Sequence, residues 1–285
     1  MDKTARNVLP RADSPPASFA PDRPELMNHL RDASVVEIER GVVFRPLVGA
    51  HNQARRLTTG TVTFEPGAKL SYHTHPFSEG VTLLEGQAAM EVQGRRYPLQ
   101  PLDHVCIPRE LPHCVLNLQD DRPAVFHIAM PTAEPTRTLV DGTVRVQMMP
   151  DGAAGPPDGE RVRRHATTPA YELAPGTQFV DFFNRELGCP EMSGGYGLFA
   201  PGARLPCHLH DFDESICIIQ GTATCVVEGR RYPLSDCSTA LVPRGRCHYF
   251  INQSTQPMAM IWVYAGAMPE RLVLDERWCD CGREA

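Results

Sequence analysis

The chain has 285 residues, of which 42% are hydrophobic and 22% are charged, and its formal net charge at pH 7 is −6. This length is sufficient for two domains of ordinary size, and the composition is that of a folded globular protein. The negative charge leaves no basic footprint, so we expect no nucleic-acid partner. No apolar run approaches the roughly 18–20 residues that span a bilayer, and residues 1–24 lack the apolar core of a signal peptide. We therefore expect a cytoplasmic protein with no membrane partner.

The predicted elements are short strands in two blocks. Residues 1–32 form a polar, Pro-rich arm, with a helical turn expected at residues 24–30. Residues 33–133 and 177–267 show short β-branched and apolar runs that are interrupted by Gly, Pro, Asn or Asp every eight to twelve residues. This pattern is typical of an all-β barrel or sandwich. Residues 134–176 form a linker with a strand-like stretch at 139–148, and residues 268–285 form a C-terminal tail.

The ten cysteines follow no spacing typical of a disulfide framework. In a reducing compartment a buried Cys behaves as a small hydrophobic residue, so we expect core packing for most of them. Cys279 and Cys281 form a C-x-C pair, which is compatible with a soft metal, but no second Cys or His pair lies nearby in sequence.

The two blocks contain an internal repeat. Residues 67–117 recur as residues 202–252 at a constant offset of 135, and 20 of the 51 positions are identical. The repeated positions include the chemically most informative residues of the chain, which are His73, His75, Glu79 and His113 in the first copy and His208, His210, Glu214 and His248 in the second.

These residue types at this spacing predict a divalent-metal site in each copy. Alternate residues of a strand share a face, so His73 and His75 project together. Glu79 returns to that face after a short turn, and His113 arrives from a distant strand. Three imidazoles and one carboxylate leave two adjacent positions of an octahedron open, and the absence of thiolates argues against structural zinc. We expect Fe(II), with Mn(II), Zn(II) and Ni(II) as alternatives.

Each copy fits G-x5-H-x-H-x3-E-x6-G followed by P-x4-H-x3-N, and in these motifs the chain resembles the cupin superfamily, specifically a bicupin. The resemblance implies two tandem double-stranded β-helix, or jelly-roll, barrels. The sequence departs from the usual pattern at three turn positions, where Leu102, Glu110 and Cys237 replace the family's glycines.

Further candidates for the site are weaker, and their roles stay open. Arg109 and Arg244, just before the last His of each set, either grip a substrate carboxylate or are simply solvated. The repeated Gly-Arg-Arg-Tyr-Pro-Leu is interpreted as a hairpin turn with its arginines facing water. The expected cavity-lining residues are Tyr72, Thr82, Pro112 and His127 in the first copy, aligned with Cys207, Cys217, Cys247 and Trp262 in the second.

The resemblance favours a metal-dependent enzyme that acts on a small oxygen-rich molecule, first of all an Fe(II)-dependent dioxygenase. Bicupins include dioxygenases of flavonols and gentisate, and also oxalate decarboxylases with manganese. One alternative is a redox-neutral isomerase, lyase or hydrolase of a sugar or keto acid, and another is a small-molecule-binding cupin without catalysis. We expect a homodimer in which the arm or an edge strand crosses to the partner. We also expect unequal halves, with the C-terminal site favoured because Gly245 keeps the family's turn.

Overall fold

The computed structural model describes residues 9–142 and 144–281 and confirms an all-β architecture. The first fourteen strands are β1 Leu26–Asn28, β2 Val36–Glu39, β3 Val42–Val48, β4 Thr58–Phe64, β5 His73–Thr74, β6 Glu79–Glu85, β7 Ala88–Val92, β8 Arg95–Leu99, β9 His104–Ile107, β10 His113–Asn117, β11 Ala124–Met130, β12 Thr138–Leu139, β13 Gln147–Met148 and β14 Arg161–Arg163. The remaining elements are β15 Thr177–Phe183, β16 Ser193–Phe199, β17 His208–Leu209, β18 Glu214–Gln220, β19 Thr222–Val227, β20 Arg230–Ser235, β21 Thr239–Val242, β22 His248–Ile251, β23 Met258–Tyr264, β24 Leu272–Val273 and the short helix α1 Arg277–Asp280. Five 3₁₀ turns, at Ala17–Phe19, Leu30–Asp32, Ala50–Asn52, His165–Thr167 and Arg185–Leu187, connect them.

The strands form two barrels, each from a pair of sheets. In the N-terminal barrel the strand orders are β14-β9-β6-β11-β4-β3-β2 and β12-β5-β10-β7-β8-β13. In the C-terminal barrel they are β1-β21-β18-β23-β16-β15 and β20-β19-β22-β17-β24. The first compact unit of the chain contains residues 33–168 and 182–192, and the second contains described residues 9–32, 169–181 and 193–281. Each unit therefore includes a segment from outside its own block of sequence.

Alternating apolar residues build each barrel core. In β6 and β11 the inward residues Val81, Leu83 and Phe126 are at most 2% exposed. In the C-terminal barrel Ile216 and Ile218 of β18 occupy the matching positions and are fully buried. Each such side chain stabilises the fold by about 1.5–3 kcal/mol relative to an exposed one.

The arm does not form the expected helical turn at residues 24–30. Leu26–Asn28 is an edge strand, β1, in which Leu26 pairs with Leu241 of the C-terminal barrel. Residues 161–163, which precede the second block, form the corresponding edge strand of the N-terminal barrel. There Arg161 of β14 pairs with Cys106. Leu26 and Arg161 differ by 135 in residue number, and so do their partners Cys106 and Leu241. The repeat therefore extends to these edge strands. In the described chain β1 of the arm lies on the C-terminal barrel, and the expected homodimer stays a prediction.

The first arginine of each repeated pair binds a buried carboxylate and stays partly exposed, while the second arginine of the C-terminal copy faces water as expected. Arg95 donates Nε and Nη2 to the buried carboxylate of Glu160, at 2.7 and 2.8 Å, and Tyr97 donates to the same carboxylate. In the C-terminal barrel Arg230 makes the equivalent bidentate contact with Glu25 at 2.5 and 3.0 Å. A buried carboxylate needs such a partner, and these contacts fix each edge-strand segment to the hairpin of its barrel.

The turns that lack the family's glycine keep the left-handed conformation. Glu110 has φ of +63° and its counterpart Gly245 has +79°. Leu102 and Cys237, at +69° and +59°, form a second matching pair. A Cβ at Gly245 would lie 1.8 Å from the carbonyl oxygen of Phe19, so the arm requires glycine there. Glycine at residue 245 therefore reflects packing of the arm.

Cysteine usage differs from the expectation of free thiols alone. Cys207 and Cys279 form a disulfide with a Cα–Cα distance of 5.8 Å, which joins α1 to the strand that carries His208. The other eight cysteines are not disulfide-bonded, and Cys281 of the C-x-C pair is exposed. No helix within residues 9–142 and 144–281 combines the length and hydropathy that a membrane crossing requires.

Candidate metal centres

The structure brings the four repeated residues of each barrel together. His73, His75, Glu79 and His113 place one ligand atom each within 4.8 Å of one another, and all four side chains are buried. His113 Nε2 lies 3.1 Å from Glu79 Oε2, and His75 Nε2 lies 3.5 Å from the same oxygen. Atoms about 2.0–2.3 Å from a shared ion have this spacing.

Strand pairing explains how distant parts of the sequence meet here. His113 of β10 lies directly opposite His73 of β5, which brings the end of the repeat back to its start. Glu79 begins β6 in the facing sheet, opposite Ile107. Because both sheets contribute ligands, closure of the barrel itself creates the site.

Backbone carbonyls fix the tautomer of every ligand histidine. In the N-terminal set His73, His75 and His113 donate Nδ1–H to the carbonyl oxygens of Ser71, Thr136 and Leu111 at 2.8, 2.5 and 2.8 Å. A carbonyl oxygen can only accept, so Nδ1 carries the proton in each ring. The neutral rings therefore aim the Nε2 lone pair at the site, as metal-ligating histidines do.

The C-terminal set repeats this arrangement. His208, His210 and His248 donate Nδ1–H to the carbonyl oxygens of residues 206, 270 and 246 at 2.8, 2.6 and 2.9 Å. Glu214 Oε2 lies 2.7 Å from His248 Nε2 and 3.2 Å from His210 Nε2.

The chemistry of the donor set fits a cation. With Nδ1 protonated, each Nε2 is an acceptor, and it faces the oxygens of a carboxylate, which are acceptors too. Acceptors at about 3 Å repel unless a positive charge lies between them. The buried Nε2 of His210 has no hydrogen-bond partner within the described chain, as expected of an atom whose lone pair binds a metal ion. The set of three nitrogens and one oxygen suits Mn(II), Fe(II), Zn(II) or Ni(II).

Burial lowers the pKa of three of the six ligand histidines, His73, His208 and His210. Desolvation lowers the pKa of His73 to about 4, and the neighbouring His113 adds to this effect. Burial lowers the pKa of His75 as well, but contact with the Glu79 carboxylate outweighs it and the net shift is upward. Although burial raises the pKa of Glu79, its contacts with the His113 and His75 rings hold it far below the usual range. The carboxylate is therefore charged at neutral pH.

The N-terminal barrel has a cavity of about 220 Å³ above its ligand set. Its wall is mostly apolar, with Phe44, Phe126, Ile128 and Met130 among the lining residues, and Arg137 lies at its rim. The cavity can take a small molecule whose polar end reaches the four ligands.

The C-terminal barrel keeps the strand pairing of the N-terminal barrel, but the sequence offset between equivalent residues falls from 135 to 134 after Asn252. Asn117 Nδ2 donates to the carbonyl of Arg122, whereas Asn252 Nδ2 donates to that of Gln256, so the second loop is one residue shorter. As a result Ile216 lies opposite Trp262, while its counterpart Val81 lies opposite Ile128.

Trp262 thus corresponds to Ile128, and Tyr264 to Met130, which corrects the expected alignment of Trp262 with His127. A one-residue shift moves a side chain to the other face of a strand. Both aromatic side chains are at most 1% exposed, and Tyr264 lies 4.5 Å from the His210 ring. Large rings therefore stand at the C-terminal set where aliphatic side chains line the N-terminal cavity.

The other lining candidates of the first copy do not reach the cavity. Thr82 and His127 lie on the outer face of the β6–β11 sheet, where Thr82 Oγ1 is 2.8 Å from His104 Nδ1. Tyr72 donates its hydroxyl to Glu91 at 2.9 Å, away from the cavity, and Pro112 does not line it either.

The candidates of the second copy have other roles too. Cys207 is bound in the disulfide, and Cys217 contacts the carbonyl of Cys237 through its thiol. Cys247 is buried within the apolar cluster of the C-terminal barrel.

The two arginines that were proposed to bind a substrate carboxylate are paired with carboxylates of the protein instead. Arg109 forms an ion pair with Glu191 and is more than half exposed. Arg244 forms an ion pair with Asp211 and lies 5.4 Å from the ring centroid of Phe19.

Two arginines that the sequence analysis did not select lie beside the second histidine of each set. Thr136 and Glu270 accept the hydrogen bond from the second histidine of each set, and Arg137 and Arg271 follow them directly. The signal was a Pro-x-Arg at residues 135–137 that recurs at 269–271, at an offset of 134. A search at the fixed offset of 135 does not find it.

The environments of these two arginines differ. Arg137 lines the N-terminal cavity, with about a quarter of its side chain exposed. Arg271 is 5% exposed and lies 5.3–5.7 Å from the ring centroids of Phe179, Trp262 and Tyr264.

Comparisons with known proteins agree with this geometry. The family model described as "Cupin domain" matches residues 60–130 and 195–264. Among solved structures, oxalate decarboxylase of Lactobacillus farciminis superimposes with a TM-score of 0.71 at 16% identity, covering 91% of each chain. Oxalate decarboxylase of Bacillus subtilis gives 0.70 at 16% identity, covering 90% of this chain and 80% of that one.

A curated relative, "Polyketide synthase CurC" of Streptomyces cyaneus, is 31% identical over 84 residues, which are 29% of this chain. The match spans about half of that relative, 54% of its length. The duplicated ligand set, the two barrels and these likenesses agree, and the chain belongs to the cupin superfamily as a bicupin with two metal-binding motifs.

Proposed function

We propose that this bicupin is a divalent-metal-dependent enzyme acting on a small oxygen-rich molecule, and that the N-terminal cavity is its catalytic site. The observation that carries the proposal is the union of a four-residue donor set with an apolar cavity of about 220 Å³. Such a pocket, with few and convergent polar groups, is the usual form of a small-molecule site. The choice of barrel reverses the expectation that was based on Gly245.

The protein's own groups have defined tasks in such a reaction. His73, His75 and His113 would hold the ion through Nε2, and the carbonyl bonds at Nδ1 keep each ring from rotating. Glu79 reduces the net charge of the centre, and its low pKa keeps it ionised. A bound divalent ion would supply Lewis-acid chemistry and, if it were iron, a redox change. The apolar wall excludes water from the reacting end of the substrate.

The first reaction class to test is Fe(II)-dependent dioxygenation. Four protein ligands would leave room for one substrate oxygen together with O₂ on an octahedral ion, and the apolar wall admits O₂ readily. The three-histidine set with one carboxylate is compatible with iron as well as with manganese.

The second class is a redox-neutral reaction, most simply a Mn(II)-dependent lyase. The observation that favours it is the fold likeness to oxalate decarboxylases over nine-tenths of the chain, one of which was studied for its Mn(II) centres. A third possibility, a cupin that binds a small molecule without turnover, predicts tight binding and no product.

The test begins with the metal content of protein purified without added metal. The protein is then loaded with Fe(II) or Mn(II) and offered oxalate and a panel of diols and keto acids, with O₂ uptake and CO₂ release recorded in air and under argon. Dioxygenation requires O₂ uptake with iron and stops under argon, whereas a lyase releases CO₂ under argon with manganese. Absence of turnover with every metal, despite full loading of the N-terminal site, would contradict the enzyme proposal.

A further inference from the structure

Arg137 is the cationic residue of the N-terminal cavity wall. The other lining residues are apolar side chains, Pro135, Thr136 and the four metal ligands, so among the described residues that form this wall Arg137 supplies the one Arg or Lys side chain. The cavity therefore combines four buried metal ligands, an apolar wall and one guanidinium that is about a quarter exposed.

The position of Arg137 is tightly determined by the fold. The preceding residue, Thr136, accepts the Nδ1–H of His75 at 2.5 Å, and the following residue, Thr138, pairs with Thr74 in β12. The backbone on both sides is thus tied to β5 and to His75, which directly follows it. The base of the Arg137 side chain is therefore held close to the ligand set, as anion recognition requires.

In the structure Arg137 is paired with a carboxylate that an incoming anion can displace. Its Nη1 lies 3.0 Å from Glu39 Oε1, and its Nη2 donates to the carbonyl of Ile38 at 3.2 Å. Glu39 also accepts from the backbone N–H and hydroxyl of Ser71, at 3.0 and 2.9 Å. If an incoming anion takes over the guanidinium, Glu39 keeps both bonds to Ser71 and about a quarter of its surface in water. Displacement of Glu39 therefore costs little.

We propose that Arg137 selects substrates that carry a carboxylate at the end opposite to their metal-chelating oxygens. A single guanidinium matches a carboxylate by a bidentate contact, whereas a phosphate group would call for further cations that this wall does not provide. This inference rests on the proposed function of the N-terminal cavity and adds the chemical class of its substrate.

The experiment measures binding of two matched pairs of probes to the Zn(II)-loaded full-length protein by calorimetry. Catechol and 3,4-dihydroxybenzoate share one chelating end, and acetohydroxamate and the hydroxamate of succinic acid share another. In each pair only the second compound has a distant carboxylate, and the two pairs differ in reach. We expect at least tenfold tighter binding of the carboxylate member in one or both pairs.

Two variants and a control identify the residue responsible. Arg137→Gln should bring the ratio within a pair close to one while leaving the affinity for catechol and the zinc content unchanged. Glu39→Gln should raise the affinity for the carboxylate member several-fold, because it frees the guanidinium. Arg109→Gln, which removes an exposed arginine outside the cavity, should change neither affinity.

The outcomes separate this inference from the function on which it rests. Chelators that bind without any preference for a carboxylate, or a preference that survives Arg137→Gln, would overturn the role of Arg137 and leave the metal cavity standing. Failure of all four probes to bind the fully zinc-loaded protein would overturn both.

Discussion

The two barrels of this protein share their metal-ligand set and differ in what surrounds it. In the N-terminal barrel Ile128 and Met130 line a cavity of about 220 Å³. In the C-terminal barrel Trp262 and Tyr264 occupy the equivalent strand positions, and the arginine beside them is buried. The walls differ because equivalent strand positions carry aliphatic side chains in one barrel and large aromatic rings in the other. A duplicated set of ligands therefore does not imply a duplicated function.

The difference suggests a division of labour. Trp262 and Tyr264 each bury a large aromatic surface, and the Cys207–Cys279 disulfide joins α1 to the strand of His208. These features favour the stability of the C-terminal barrel. The N-terminal barrel keeps an open space near its ligands at the expense of packing, as a binding site requires.

The largest expected effect comes from removing one ligand in each barrel. His73→Ala should lower turnover at least about 1,000-fold, because the ion loses one of its four ligands beside the cavity. His208→Ala should lower turnover less than about threefold at matched folding. Each variant should lose about one metal equivalent by elemental analysis. Equal losses of turnover would show that the two sites are equivalent.

The disulfide should account for the next largest difference. It closes a loop with a sequence separation of 72, and its removal should destabilise the C-terminal barrel by about 2–4 kcal/mol. Cys279→Ser, or reduction of the wild type, should lower the melting temperature, whereas Cys281→Ser, at an exposed free thiol, serves as the control. An unchanged melting temperature for Cys279→Ser would mean that the bond contributes nothing to stability.

The wall can be exchanged between the barrels to test the cause of their difference. Ile128→Trp with Met130→Tyr should fill the N-terminal cavity and weaken catechol binding at least about 30-fold with zinc still bound. Trp262→Ile with Tyr264→Met should leave binding by the N-terminal site unchanged and cost stability, because a cavity forms. Catechol binding that survives the first pair would show that these two residues do not control access.

Much of the fold was predictable from the sequence because it depends on local pattern. Strand periodicity and the spacing of His73, His75, Glu79 and His113 were sufficient for the all-β barrels and the two donor sets. Which strand pairs with residues 26–28 was not predictable, since pairing depends on contacts distant in sequence.

The residues around the sites were predicted less well, for one physical reason. The alignment of His127 with Trp262 assumed a constant offset of 135. Because one residue is missing after Asn252, Trp262 corresponds to Ile128, and the alignment assigned His127 to the wrong face of its strand. Arg137 was missed because its repeat has an offset of 134. Side-chain facing in a strand has a period of two, so an error of one residue inverts every inference about a wall.

The smallest effect concerns His127, which faces away from the cavity and corresponds to Ile261 in the C-terminal barrel. Burial lowers the pKa of His127 to about 4, and its Nε2 has no hydrogen-bond partner in the described chain. The unfolded chain binds this proton near pH 6.5 and the folded one does not, so stability falls as the pH drops below about 6.5. From pH 7 to 5.5 the loss should be about 1 kcal/mol, since one pKa unit corresponds to about 1.4 kcal/mol.

His127→Ile, which copies the other barrel, should flatten the pH dependence of urea unfolding by this amount and leave metal content unchanged. The control is His51→Asn, at a less buried histidine, which should flatten it less. An unaltered slope for His127→Ile would show that this ring is not the acid-sensitive difference between the two barrels.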